Sequence, residues 1–327
     1  MRHLIIGANY YKAPLYHIAD AERGTDNSSV NPSDKSIGEI LTKRVFDTSI
    51  EPGLHIVSTP IGNLSDITLR AIAVLQAADA IACEDTRVTR KLKTELRLSA
   101  PLISYHEHNA DKATSEIIER LKSGEIVALV SDAGTPLVSD PGYRLVNATI
   151  DENLTVIPVP GASALLAALS ASGLPTDRFL FEGFLPKKTN ARHKLLQRAA
   201  LVNASIVFFE SPKRLTRSLL DMVRILGNRQ AIIARELTKR YEEISRGPLA
   251  TLIKNFESMA TLRGEITIVV APPLNKGAPP PADLDKMLMD ALSEYSTRDA
   301  VTTIAAETGL QRRSLYQRAL QLGVNDD

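Results

Sequence analysis

Residues 126–142 read Ile-Val-Ala-Leu-Val-Ser-Asp-Ala-Gly-Thr-Pro-Leu-Val-Ser-Asp-Pro-Gly, and they put groups capable of chemistry directly behind a buried strand. A five-residue apolar run stops at a turn carrying Asp132, Gly134, Thr135, Pro136, Asp140, Pro141 and Gly142. Such a run fits a strand covered on both faces. Glycine lets main-chain N–H and C=O groups approach a ligand with no Cβ between them. The loop after the carboxyl end of a parallel strand is where ligands sit in open α/β sheets. A purely structural turn fits the same residues, and one strand with one loop does not separate the two readings.

Comparable segments recur along the chain. Ser58-Thr59-Pro60-Ile61-Gly62-Asn63-Leu64 follows a first apolar strand, and Glu84-Asp85-Thr86-Arg87 follows a second. Val159-Pro160-Gly161-Ala162-Ser163-Ala164 closes a later one. In the second half stand Phe209-Glu210-Ser211-Pro212 with Arg214, and Ala234-Arg235-Glu236-Leu237-Thr238-Lys239. Glu84 and Asp85 can take a hydroxyl proton or bind a sugar, and Arg87 can hold a phosphate. Equally, Asp85 suits the N-terminal dipole of the basic helix behind it. Arg235, Glu236 and Lys239 form either a structural ion-pair set or the wall of a site. His106 and His108 point the same way from a strand end, but no Cys, His or carboxylate partners stand at a metal-ligand spacing.

These segments must be carried by alternating strands and helices. The pattern predicts strands at 54–58, 79–83, 102–105, 126–130 and 154–159. It predicts helices at 67–77, 86–96, 111–122, 142–150 and 163–172, with Asp66 as the N-cap of the first. That alternation means a parallel sheet. Gly173-Leu174-Pro175 marks a domain boundary. The second half predicts strands at 178–182, 206–210, 230–235 and 265–271, with helices at 189–200, 211–226 and 249–257. The expected organisation is an extension over 1–52, partly disordered at 23–36, then α/β domains over 53–174 and 175–272. A Pro-rich linker over 273–282 and a tail over 283–327 complete it. In the tail, helices 297–308 and 311–322 about Gly309 follow a helix-turn-helix pattern whose second helix carries Arg312, Arg313 and Arg318.

Composition bounds the rest. Of 327 residues, 44% are hydrophobic and 24% charged, values ordinary for globular chains of about two domains. Trp is absent and aromatics are 5%, so the core is aliphatic. Net charge is +1, so any nucleic-acid surface must be local. One cysteine, Cys83, excludes an intrachain disulfide framework and fits a reducing cytosol. No apolar run approaches the roughly 20 residues that span a bilayer, and the N-terminus lacks a signal-peptide core. A cytoplasmic protein without membrane association is expected. There is no P-loop and no G-x-G-x-x-G, so an ordinary nucleotide-phosphate cradle is not supported.

Taken in order, the five sets of segments resemble the tetrapyrrole methylase superfamily of S-adenosylmethionine (SAM) enzymes, over roughly Gly53 to Ala271 plus the tail. Within that family the similarity is to members that 2′-O-methylate a cytidine of 16S rRNA in the decoding region of the small ribosomal subunit. The loop Pro160-Gly161-Ala162-Ser163-Ala164 departs mildly from the family's Pro-Gly-Pro-Cys-Ala form. The resemblance implies an α/β, two-domain tetrapyrrole-methylase-like fold: a parallel-sheet N-terminal domain, a mixed-sheet C-terminal domain and a small helical C-terminal tail. It also implies SAM as cofactor, a homodimer, and 16S rRNA or the 30S subunit as partner. Pro60, Gly62, Asp132, Gly134, Thr135, Pro136, Val138, Gly161, Ala162, Ser163 and Glu210 would then bind cofactor. Glu84, Asp85, Arg87, Glu236 and Lys239 would serve catalysis. No metal is required.

RNA affinity would come from basic helices. Arg87, Arg90, Lys91, Lys93 and Arg97 crowd one, and Lys187, Lys188, Arg192, His193, Lys194 and Arg198 another. Each equally fits a solvated face. Rival readings are a methylase of a tetrapyrrole macrocycle and a non-enzymatic nucleic-acid-binding regulator acting through the tail.

Overall fold

The computed structural model describes residues 49–257, 262–273, 281–308 and 310–322. The expected extension up to residue 48 and most of the expected linker lie outside them. The chain divides into two compact units.

In the first unit the short apolar runs become β1 (Gly53–Val57), β2 (Ala80–Cys83), β3 (Leu102–Ser104), β4 (Ile126–Val130) and β5 (Val156–Val159). They form one sheet in the order β3-β2-β4-β1-β5, with every neighbouring pair parallel. Five helices follow the strands: α1 (Leu69–Ala77), α2 (Thr86–Glu95), α3 (Ala110–Lys122), α4 (Tyr143–Asp151) and α5 (Ala164–Ser170). Alternate strand residues serve opposite faces. Ile81, Cys83, Ala128 and Val130 pack with Val74 and Leu75 of α1 and Leu92 of α2. Ala82, Val127 and Leu129 pack with Ile117 of α3 and Leu145 of α4. The connections leaving β1 and β2 run toward the β3 edge, and those leaving β3 and β4 run back. Right-handed crossovers then place the two helix pairs on opposite faces. The reversal opens a crevice at the carboxyl ends of the strands.

One capping expectation is corrected. Thr68, not Asp66, caps α1, its hydroxyl accepting from Ala71 N at 3.1 Å. Residues 64–66 are taken up by a 3₁₀ turn capped by Asn63, so the first free N–H groups of α1 fall within reach of Thr68.

The second unit carries a five-stranded mixed sheet in the order β6-β7-β10-β8-β9. Its strands are β6 (Phe179–Phe184), β7 (Ser205–Glu210), β8 (Gln230–Arg235), β9 (Glu243–Pro248) and β10 (Ile266–Val270). The helices are α6 (Thr189–Ala200), α7 (Leu215–Leu226) and α8 (Leu249–Glu257). The sequence pattern does not predict β9. Its sequence, Glu-Ile-Ser-Arg-Gly-Pro, is tolerable in a sheet because β9 is an edge strand.

The division between units also differs from a single cut at Pro175. The first unit runs to Ala171, then regains Ala234–Ile244 and Gly264–Thr267. The segment bearing Glu236 and Lys239 therefore belongs with the strand-end loops of the first sheet.

The tail has three helices rather than two: α9 (Pro281–Glu294), α10 (Thr297–Thr308) and α11 (Arg312–Leu322). Leu288, Val301, Ile304, Leu315 and Ala319 form their common core. The Pro-rich run masks the start of α9 in the sequence, although a proline is tolerated at a helix start. No described helix is long and apolar enough to cross a membrane.

Candidate active site

Three loops at the carboxyl ends of β1, β4 and β5 are tied into one rim. Thr59 N donates to Gly134 O at 2.8 Å and Gly134 N returns to Thr59 O at 3.1 Å, an isolated antiparallel bridge. The Ser58 and Thr135 hydroxyls lie 3.0 Å apart, and Thr135 Oγ1 donates to Ala162 O at 3.2 Å. Gly134 has φ +82°, a left-handed conformation in which glycine carries no Cβ penalty. Leu137 and Ser139 also hold positive φ, at 70° and 68°. A Cβ on Gly161 would come 2.9 Å from Ser58 Cβ, so glycine there lets two strand-end loops touch. Pro60 and Pro136 are buried in the rim, and Val138 is half-buried. Ser163 caps α5.

Asp132 joins the loop after β2 to this rim, its Oδ1 accepting from Asp85 N at 3.1 Å. Asp85 caps α2, accepting from Arg87 N at 2.8 Å. Its carboxylate also holds the Arg87 guanidinium, with Nη2 to Oδ2 at 2.6 Å. Those hydrogen bonds, led by the guanidinium, hold the Asp85 carboxyl down at about 2. A carboxylate so placed is a weak proton acceptor. Asp140 is its opposite. Burial, then the charge of Glu84, pushes its carboxyl up to about 7; the Ser131 hydroxyl opposes and Asp132 adds to the rise.

The returning segment closes the first unit's site. Lys239 Nζ pairs with Glu236 Oε1 at 2.8 Å and Glu265 Oε2 at 3.1 Å. Glu265 N donates to Glu236 Oε1 at 3.0 Å. Burial, the largest influence, pulls the Lys239 ammonium down, yet Glu265 and Glu236 together raise it, and it stays charged. Glu236 and Thr238 take positive φ, at 52° and 65°, so this turn is held against its own backbone preference. Gly264, at φ +101°, leaves the space that the Glu236 side chain fills. Sequence reasoning misses Gly264 and Glu265, since nothing but a glycine before a strand announces them.

Of the residues expected at a site, those from Pro60 to Ser163 gather at the rim, and Glu236 and Lys239 join them. Glu210 ends β7 of the second unit. It is buried in the second unit, where Ser218 Oγ donates to it at 2.5 Å, Ser211 N donates at 2.7 Å, and Arg214 pairs with it at 3.4 Å. Its carboxylate is held by that local network.

The basic helices also change meaning. Arg192 is 1% exposed. Its guanidinium pairs with Asp221 at 2.6 Å and donates to the carbonyls of Pro186 and Lys187. His193 shares Asp221 at 2.8 Å. Lys93 donates to the carbonyls of Ser99 and Ala100. These three residues are structural rather than phosphate ligands. Among the described residues no group of three or more His, Cys, Asp or Glu is placed to hold a metal ion.

The rim fits a cofactor held mainly by main-chain groups. Gly161 leaves main chain exposed at the rim, whereas the N–H and C=O of the buried Gly134 are taken by Thr59, and the hydroxyls of Ser58 and Thr135 fix the loops.

The chain resembles known proteins along most of its length. The family profile described as "Tetrapyrrole (Corrin/Porphyrin) Methylases" matches residues 53–253, and that described as "RsmI C-terminal HTH domain" matches 278–323. A protein of Mesorhizobium japonicum named ribosomal RNA small subunit methyltransferase I is 50% identical over 274 residues, covering 84% of this chain and 93% of its own. One of the same name from Synechocystis is 46% identical over 278 residues, covering 82% and 98%. Among solved structures, cobalt precorrin-4 methyltransferase superposes with TM-score 0.51 at 18% identity, over 67% of this chain and 94% of that one. Diphthine synthase does so with TM-score 0.54 at 16% identity, over 67% and 89%. At those identities the structures show a shared fold.

Proposed function

The chain belongs to the tetrapyrrole methylase family, in the group of ribosomal RNA small subunit methyltransferase I, and on that premise we propose that it 2′-O-methylates a cytidine of 16S rRNA. The target lies in the decoding region of the 30S subunit, and the working unit is a homodimer in the cytoplasm. The cofactor is SAM, which supplies a sulfonium methyl group to a nucleophile. The observation that carries the reading is 50% identity over 84% of this chain and 93% of that relative, beside family profiles that match both the methylase part and the tail.

The residues divide the work as follows. Gly161 and Ala162 present main chain to the cofactor, Gly134 shapes the rim through its bridge to Thr59, and Pro60, Pro136 and Val138 serve as apolar walls. Thr135, Ser163 and Asp132 brace those loops through their hydrogen bonds. A fixed rim supplies rate by orientation, since a methyl group moves only along the line joining donor and acceptor. The ribose hydroxyl must lose its proton during transfer. Asp140, held at about 7, has a basicity matched to that task at neutral pH, whereas Asp85 does not. Lys239 lays its stem across Gly62 and holds its ammonium on Glu236 and Glu265, a charge suited to an RNA phosphate or to the charge growing on the ribose oxygen.

The test is methylation of 30S subunits and of uroporphyrinogen by the purified protein, with nuclease digestion and mass spectrometry of the RNA. A 2′-O-methylcytidine in 16S rRNA is expected, absent from cells lacking the gene and restored by adding the protein. Methylation of a base, or of the macrocycle alone, would overturn the assignment.

A further inference from the structure

A groove of about 430 Å³ opens in the tail between α10 and α11. Its walls carry Arg298, Arg312, Arg313, Tyr316 and Gln317, with the buried Val301 beneath. None of the three guanidiniums is ion-paired to a described residue. Arg318 behaves differently although it lies on the same helix. It clasps Asp285 of α9 with two hydrogen bonds, at 2.7 and 2.5 Å, and so staples α11 to α9. One arginine of α11 is thus spent on the fold, and two others are left for something else.

Their position is costly without a ligand. Arg312 and Arg313 open α11, and no acidic residue lies in its first turn. The N-terminal end of a helix carries partial positive charge and free N–H groups, so cations there are unfavourable and anions are favoured. Arg298 opens α10 at the same groove and adds a third positive charge. Tyr316 stands 45% exposed beside them, an aromatic face left in water. Phosphate-binding cations next to a free aromatic ring are what an unpaired nucleotide chain requires: charge for its backbone and a platform for a base. Paired RNA fits less well, because the deep, narrow major groove of its helix does not admit such a surface.

We propose that this α10–α11 groove is a single-stranded RNA site in which Arg298, Arg312 and Arg313 hold the phosphodiester chain and Tyr316 stacks on a base. The inference rests on RNA being the substrate, and adds which residues of the tail grip unpaired RNA.

The experiment measures binding of the full-length protein to a labelled single-stranded RNA and to a duplex of the same length, across a salt series. Arg312→Gln/Arg313→Gln should weaken single-strand binding about tenfold. It should also lower the slope of log K against log salt by about 1.4, for two lost contacts at about 0.7 each. Tyr316→Ala should weaken the single strand by a similar factor with the slope unchanged. Thermal stability of the double variant should hold or rise, because two cations leave a positive helix end. SAM affinity should not move. Arg298→Gln on the other helix gives an independent reading should the double variant fold poorly. Unchanged RNA affinity and slope in all three variants would overturn the proposal, as would a loss confined to duplex RNA. So would sedimentation showing that the double variant breaks a dimer while RNA affinity is kept. Because binding is read without methyl transfer, a wrong target nucleotide would sink the function above and leave this groove standing.

Discussion

The aliphatic stem of Lys239 lies across Gly62, so closely that a Cβ on that glycine would collide with Lys239 Cγ. Two residues 177 positions apart in the chain therefore share one space, and the missing side chain of one is the seat of the other. Gly62→Val should push Lys239 off Glu236 and Glu265. Overpacking of this kind costs about 1–3 kcal/mol. Methylation should fall about tenfold or more, because the ammonium leaves the place where Glu236 and Glu265 hold it. Denaturant unfolding and initial rates on 30S subunits are the measurements.

Asp140 gives a pH prediction with a definite sign. Its folded-state carboxyl sits at about 7 against an ordinary 3.8, so the folded protein binds this proton more tightly than the unfolded chain. Its contribution to stability is most favourable below about pH 4 and is lost as pH rises toward 7. Asp140→Asn should therefore raise the melting temperature at pH 8 more than at pH 5. The same variant should lower kcat at least a hundredfold with SAM affinity kept, as for loss of a general base. In the parent enzyme the rate should fall below pH 7 as Asp140 takes up its proton. Full activity in Asp140→Asn would remove it from catalysis.

Asp85 is expected to act on α2 rather than on the reaction. Asp85→Ala removes the cap on Arg87 N and should cost about 1 kcal/mol. Asp85→Asn keeps a capping oxygen and should cost only a few tenths. Both should retain kcat within a few-fold. A large rate loss in Asp85→Asn at unchanged stability would return the proton-acceptor role to it.

Arg192 and Arg198 share α6 and separate a buried role from a surface one. Arg192→Ala leaves Asp221 partly buried without its main partner and should cost about 3–5 kcal/mol in urea unfolding. Arg198→Ala, on an exposed position, should stay within about 0.5 kcal/mol. Equal costs would show that Asp221 relaxes to find other partners.

Cys83 should resist thiol reagents in the native protein. It is fully buried in β2, and burial pushes its thiol up to about 11, so almost no thiolate forms at neutral pH. Rapid labelling by a maleimide without denaturant would contradict that placement.

The sequence by itself determined the elements and the family. Apolar runs of four or five residues ending in glycine and proline give parallel strands with strand-end loops, because both faces of such a sheet are covered. That the segments from Pro60 to Ser163 gather at one rim is legible for the same reason: in a parallel sheet, every loop after a strand leaves from one edge. Asp85 as a helix cap is equally local. What lies beyond the sequence is partnership across distance. Nothing near Lys239 announces Gly62 or Glu265, and nothing near Glu210 announces that Ser218 consumes its carboxylate. Arg192 and Arg198 look alike in a row of basic residues, and only packing decides that one is buried against Asp221. Arg318 and Arg313 look alike too, until α9 brings Asp285 to the first and leaves the second in its groove. Asp140 and Asp85 are one residue type, yet burial and neighbouring charges give them opposite acidities. Local pattern fixes where a side chain starts. The return of a distant segment fixes what it meets, how dry its surroundings are, and hence its charge.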